Sequence, residues 1–534
     1  MEQEKEMQRF IEEHVKVIKP LYKKLTFASF DAKISGKKES YEEYEKIQLE
    51  FEKIYNNKEE FEKVKKWHDL EIKDELLRRQ IGILYRSYLS SQGDIKILGE
   101  IIKKSTEIDK KFNLFRANIK GKEYTDNEIK KILEEEKSNE KLKEAWEASK
   151  KQGEIVEKDL IDLIKLRNKL AQDYGFKNYY VRSLEINEQK LEEIEKIFDE
   201  LAKLTNKPFL ELKEDIDKKL KEKYKEEKLA PWHYKDLFFQ EGPQIYSLNL
   251  DKFYEEDVLE IAKKFYDSLE LEVRDILERS DLFEKKGKYQ HACCMDMDRE
   301  GDVRIIQNVR NNEKWMETTL HELGHAVYGK YTDMTLPFLL RDSAHIFVTE
   351  AVAQFFGRES RNTEFIKEFG KNGKDADEYK EDIRKMLKLR QLVFCRWCQV
   401  MFRFEKELYE NPDQDLNKKW WELVKKYQLI DFYRDKPDWA SKIHFVSSPV
   451  YYHNYMLGEL LASQFHYFII NEIFKTDINK ESEPAINLTE KGKEVGEWFK
   501  KYVFQPGAKY FWGDMIKKAT KEDLNPEYFV RQFG

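Results

Sequence analysis

The chain has 534 residues, with few glycines (21) and prolines (11), 38% charged and 14% aromatic residues. That mixture favours helix and excludes a disordered polyampholyte, which would lack the aromatics. The formal net charge is −7 with both signs interleaved, and no basic stripe marks a nucleic-acid partner. From Glu2 to about Lys228, apolar residues recur at three- and four-residue spacing between Glu and Lys runs, as in Leu191, Ile194, Phe198 and Leu201, so helices are predicted almost throughout. The character changes at Ala230-Pro231-Trp232, where loop or short turns are expected as far as Pro243. Helices resume near Asp251. Tyr289 to Met297 and Val303 to Val309 then flank Asp298-Arg299-Glu300-Gly301-Asp302, which predicts a β-hairpin. Helix returns near Asn312 and dominates to the end.

The expected fold is mainly α with a small sheet, a single unit over 1–534. Residues 1–229 form a mostly helical N-terminal part and 230–534 carry the motifs. Four cysteines are present and no disulfide framework is expected; Cys395 and Cys398 fall in a helical run from Met386 to Leu408 and are expected as buried free thiols. The N-terminus has no basic segment followed by an apolar one, so no secretory signal is expected. Tyr451 to Phe474 is broken by polar residues such as His453, Asn454 and Glu459, so no membrane span is expected either. The expected location is cytoplasmic.

Residues 321–325 read His-Glu-Leu-Gly-His. The run Glu313 to Leu320 can be helical, with Asn311 or Asn312 as cap and Gly329 as a stop. On a helix His321 and His325 stack on one face and can reach one metal ion. Glu322 is turned about 100° away and is placed to act as a general base on a water at that ion. A catalytic zinc needs a third protein ligand. Tyr331 stands where a third histidine would lie in one common arrangement, so a glutamate on a following helix is expected. Ser343 to Glu359, with Ser343 as cap, is that helix. Glu350, followed by Ala351, Val352 and Ala353, is the expected ligand, because a carboxylate in so apolar a setting needs a partner. Glu359 and His345 are the alternatives.

With these residues assembled, the sequence resembles the angiotensin-converting-enzyme family of peptidyl-dipeptidases, from about Trp232 onward. The resemblance rests on His321-Glu-Leu-Gly-His325, on Leu336-Pro-Phe-Leu-Leu-Arg341 leading into Glu350, on Gln290-His291-Ala292-Cys293, and on Lys442-Ile-His444 followed by Tyr452-His-Asn-Tyr455 and Gln464-Phe-His466. It implies a large helical zinc-peptidase fold with a deep central channel and one Zn2+ per chain held by His321, His325 and Glu350. Glu322 would be the base, Tyr455 the oxyanion donor, and His291 and His444 would hydrogen-bond the substrate backbone, with Ala292 on the strand beside it. Lys442 and Tyr452, with Gln240, would hold the C-terminal carboxylate of an oligopeptide. There are departures from the family pattern. Asn454 stands where animal members carry a chloride-linked arginine, and Gln354 replaces an aspartate four residues after the ligand glutamate. The competing readings are an oligoendopeptidase of the thimet or oligopeptidase F type, a zinc carboxypeptidase, and a non-catalytic helical interaction protein. The oligomeric state is not fixed, and a monomer is compatible.

Overall fold

The computed structural model describes residues 2–246, 248–476 and 486–534. It is mainly α-helical, with two antiparallel two-stranded sheets: β1 (Ala117–Ile119) with β2 (Lys122–Tyr124), and β3 (Cys293–Asp296) with β4 (Val303–Ile306). The chain divides into two compact units, each built from separated segments. The first comprises Met1–Gln92, Leu248–Arg384 and Leu457–Phe529; the second comprises Gly93–Ser247, Lys385–Met456 and Val530–Gly534. No helix among the described residues is long and apolar enough to cross a membrane.

In the first unit, the hairpin pairs Cys293 with Ile306 through Asp296 with Val303. Its turn is held by Asp296 and Asp298, whose carboxylates accept backbone N–H groups from Asp298, Arg299, Glu300 and Asp302. The strands are shorter than the apolar runs predicted. Residues 289–292 leave the ladder because side chains replace its bonds there: Asn308 Nδ2 donates to the carbonyls of Tyr289 and Gln290 at 3.1 and 3.2 Å. Helix Glu313–Tyr331 starts at Asn312, whose side chain accepts the Trp315 N–H at 3.0 Å. It runs past Gly329, where the sequence predicted a stop. That glycine is used for packing: a Cβ would come within 3.1 Å of Val303 on the hairpin. The next helix is Ile346–Gly357, shorter at both ends than the predicted Ser343–Glu359. Its cap is His345, whose Nδ1 accepts the Phe347 N–H at 3.2 Å, in place of Ser343.

In the second unit, the predicted periodicity is matched by burial: Ile194, Phe198 and Leu201 of helix Leu191–Leu204 are fully buried. Cys395 and Cys398 are buried free thiols on helix Lys380–Glu410. The β1–β2 hairpin lies inside the region predicted to be almost wholly helical. Its two-residue loop is Lys120-Gly121, both with positive φ (53° and 87°), the geometry that matches strand twist.

Candidate metal centre and anchor cluster

His321 and His325 stand one turn apart on Glu313–Tyr331, their ring centroids 4.9 Å apart and their planes at 84°. Helix Ile346–Gly357 brings Glu350 to them. Its Oε2 is 3.7 Å from Nε2 of His321 and 3.9 Å from Nε2 of His325. Ligand atoms around a tetrahedral zinc with bonds near 2.0–2.1 Å stand about 3.3 Å apart. The three donors are slightly wider than that and fit an ion drawing them inward. They are the group among the described residues that could hold a metal. His345 and Glu359, the alternatives, are otherwise engaged: His345 caps the helix, and the buried Glu359 accepts from Asn362 Nδ2 at 2.8 Å.

Small residues let these elements meet. A Cβ on Gly324, inside the histidine motif, would lie 2.7 Å from the Ala353 Cα, so the two helices touch backbone to backbone there. Gly458 packs on the other side of Glu350; its Cβ would be 3.1 Å from the Glu350 Cβ and 2.7 Å from Gln354 Oε1. The turn before His321 is tied down by Tyr266, whose hydroxyl donates to the Leu320 carbonyl at 2.7 Å, and by Gln307, which bonds Thr318 and Thr319. His325 Nδ1 lies 2.7 Å from Thr349 Oγ1, which orients the ring and leaves Nε2 for a metal. Burial, followed by the neighbouring His321, holds His325 well below its ordinary range, so it is neutral, as a ligand must be.

Glu322 is buried beside this group. Burial, followed by the Glu350 charge, pushes its carboxyl up to about 8. A dication at the donors acts in the opposite sense and favours the carboxylate. On β3 the Cys294 thiol is held high by burial and then by Glu322, which places the strand alongside helix Glu313–Tyr331. His291 and Ala292 precede β3. His291 is exposed, with its ring 5.3 Å from that of Tyr289.

The second unit gathers the remaining candidates. Lys442 is buried, and its Nζ donates to Gln240 Oε1 at 2.7 Å. The ammonium lies 5.3, 5.1 and 5.4 Å from the rings of Phe238, Trp397 and Tyr452. Burial brings it down to about 8. Tyr452 accepts from Trp397 Nε1 at 2.8 Å, and its ring stands 5.1 Å from His444 and 5.4 Å from Tyr455. Burial, then Lys442, lowers His444 to about 4, and its Nδ1 is buried with no hydrogen-bond partner among the described residues. Asn454 accepts from Gln189 Nε2 at 2.8 Å, and Gln189 Oε1 meets His453 Nε2 at 2.8 Å, so a network of side-chain hydrogen bonds fills that position.

Residues missed from sequence hold this cluster. Arg167 is buried and donates to the carbonyls of Phe445 and Val446 at 2.7 and 2.8 Å. Buried Glu405 accepts the N–H of Val450 at 2.8 Å. Val450 has φ 55°, a left-handed conformation unusual for a β-branched residue. Nothing in their local sequence signals these long-range roles. Gly324, by contrast, could have been read as a helix-contact residue.

The fold and the donor set define a helical His-Glu-x-x-His protein with a glutamate as third donor. A family model for angiotensin-converting enzyme matches residues 1–233 and 244–525, and the chain belongs to that peptidase family. The match takes in the N-terminal helices, beyond the Trp232 boundary of the motif resemblance. Among characterised proteins, thermostable carboxypeptidase 1 of Pyrococcus furiosus is 24% identical over 255 residues, 43% of this chain and 49% of that protein. The chain thus spans about half the length of the curated relative it matches.

Proposed function

We propose that the protein is a zinc-dependent peptidase, with one ion per chain, that releases dipeptides from the C-termini of oligopeptides in the cytoplasm. The observation that carries this reading is the convergence of His321, His325 and Glu350, with Glu322 beside them, in a chain of the angiotensin-converting-enzyme family. Zinc bound there supplies a Lewis acid and brings the pKa of its water toward about 7. Glu322 takes a proton from the attacking water and returns it to the leaving amine. Tyr455 donates a hydrogen bond to the oxyanion of the tetrahedral intermediate, a group that needs preorganised donors. His291, Ala292 and His444 contact the substrate backbone.

Lys442, Gln240 and Tyr452 receive the substrate's terminal carboxylate. A buried ammonium brought down to about 8 supports this role, because an incoming carboxylate offsets the burial cost of its charge. Asn454, an amide held by Gln189, supports activity without chloride.

The test is mass spectrometry of fragments from a mixed peptide set, each peptide supplied as free acid and as amide, with and without chelator. Chelator-sensitive release of C-terminal dipeptides is expected, much faster from the free acids than from the amides. Equal cleavage of acids and amides would replace this reading with an oligoendopeptidase. Release of single residues would favour the carboxypeptidase reading, which the name of the Pyrococcus relative supports.

A further inference from the structure

Residues 234–243 fall between the two stretches matched to the family, yet they carry Phe238 and Gln240. This loop is irregular: Lys235 and Phe239, neither a glycine, have φ 77° and 51°. Two side chains enforce its path. From within, the Asp236 carboxylate accepts the N–H groups of Phe238 at 2.8 Å, Gln240 at 3.1 Å and Glu241 at 3.0 Å. From helix Leu416–Gln428, the buried Gln428 Nε2 donates to the carbonyls of Phe238 and Phe239 at 2.9 and 2.8 Å. Beneath the loop, the ammonium of fully buried Lys150 stands 3.3 Å from the Phe238 ring centre and 3.3 Å from the hydroxyl of Ser441, the neighbour of Lys442.

The result is a fixed relation between Gln240 and Lys442. Gln240 accepts from Lys442 through Oε1, so its amide N–H2 remains a donor. The lysine keeps further N–H groups of its own. We propose that Asp236 and Gln428 are positioning residues for the carboxylate anchor: they fold the loop so that the Gln240 amide and the Lys442 ammonium are presented together to the free α-carboxylate of a peptide. The inference deepens the anchor proposed above and rests on it.

The test compares kcat/KM for one peptide as free acid and as C-terminal amide. In Asp236→Asn, an amide N–H2 replaces one carboxylate oxygen and opposes the N–H groups of Gln240 and Glu241. Gln428→Leu removes both carbonyl contacts without changing the helix. In each variant the acid-to-amide ratio falls roughly tenfold, through a higher KM for the acid, while the amide rate is unchanged. The amide rate is the internal control, since damage to the fold lowers both. If Asp236→Asn does not fold, Gln428→Leu decides alone. A wild-type ratio kept by the folded variants overturns the inference and leaves the anchor standing. A wild-type ratio near one removes the anchor itself and the inference with it.

Discussion

His321, His325 and Glu350 stand on two regular helices, whereas Lys442, Gln240 and His444 stand on turns and short helical segments. The candidate metal group is closed by close helix contacts at Gly324 and Gly458. The anchor cluster is held by buried polar side chains that grip irregular backbone: Arg167 and Glu405 around Val450, and Asp236 and Gln428 around Phe238. Helices fix atoms with little adjustment, which suits coordination. Loops reach shapes that helices cannot, but need supporting contacts to hold a position. The difference teaches that the two regions respond to different insults: the first to volume at the helix contact, the second to loss of a single hydrogen-bonding partner.

The largest effect that sharpens the comparison is at Glu322. Glu322→Gln is expected to lower kcat by about 10²–10⁴-fold with metal content unchanged; steady-state kinetics and metal analysis check both halves. Tyr455→Phe tests the other region: kcat falls by about 10²-fold and KM moves little. Unchanged turnover in that variant would remove its oxyanion role. Thr349→Val removes the partner of His325 Nδ1 and is expected to weaken metal affinity about 10–100-fold, read by competition with a chelator.

The smallest effect concerns stability and pH. Lys442 sits near 8 in the folded chain, below the ordinary lysine value of 10.5, because it is buried. Below about pH 8 the folded state carries a buried ammonium at a cost. Between about 8 and 10.5 the unfolded chain binds a proton that the folded chain has released, so this cost fades as pH rises. Lys442→Met removes the cost. It is expected to be more stable than wild type at pH 7, by an amount on the order of 3 kcal/mol, with the advantage shrinking toward pH 10.5. Melting at both pH values checks this. Metal affinity in this variant stays at the wild-type value; a fall would break the separation between the two regions.

Much of this was legible in the sequence because it is encoded by spacing. The four-residue step from His321 to His325, and the carboxylate of Glu350 among small apolar residues, are local signals, and the structure brings these side chains together. Helix ends were less legible. Gly329 reads as a stop, yet it packs on the hairpin, and the cap before Ile346 is His345 rather than Ser343 because an imidazole nitrogen can also accept an N–H. The β1–β2 hairpin was hidden in a lysine- and glutamate-rich region, with only Lys120-Gly121 to mark its turn. The supports of the anchor were invisible for a different reason. Gln428 is 190 residues from Phe238, and Arg167 is 278 from Phe445, so neither partnership leaves a periodic trace.

Zinc content, measured on the purified wild type beside Glu322→Gln and Glu350→Ala and paired with peptide hydrolysis, tests the central claim most directly. The expected result is one zinc per chain in wild type and Glu322→Gln, little in Glu350→Ala, and hydrolysis by wild type alone. Hydrolysis by a metal-free wild type, or full zinc content in Glu350→Ala, would contradict it.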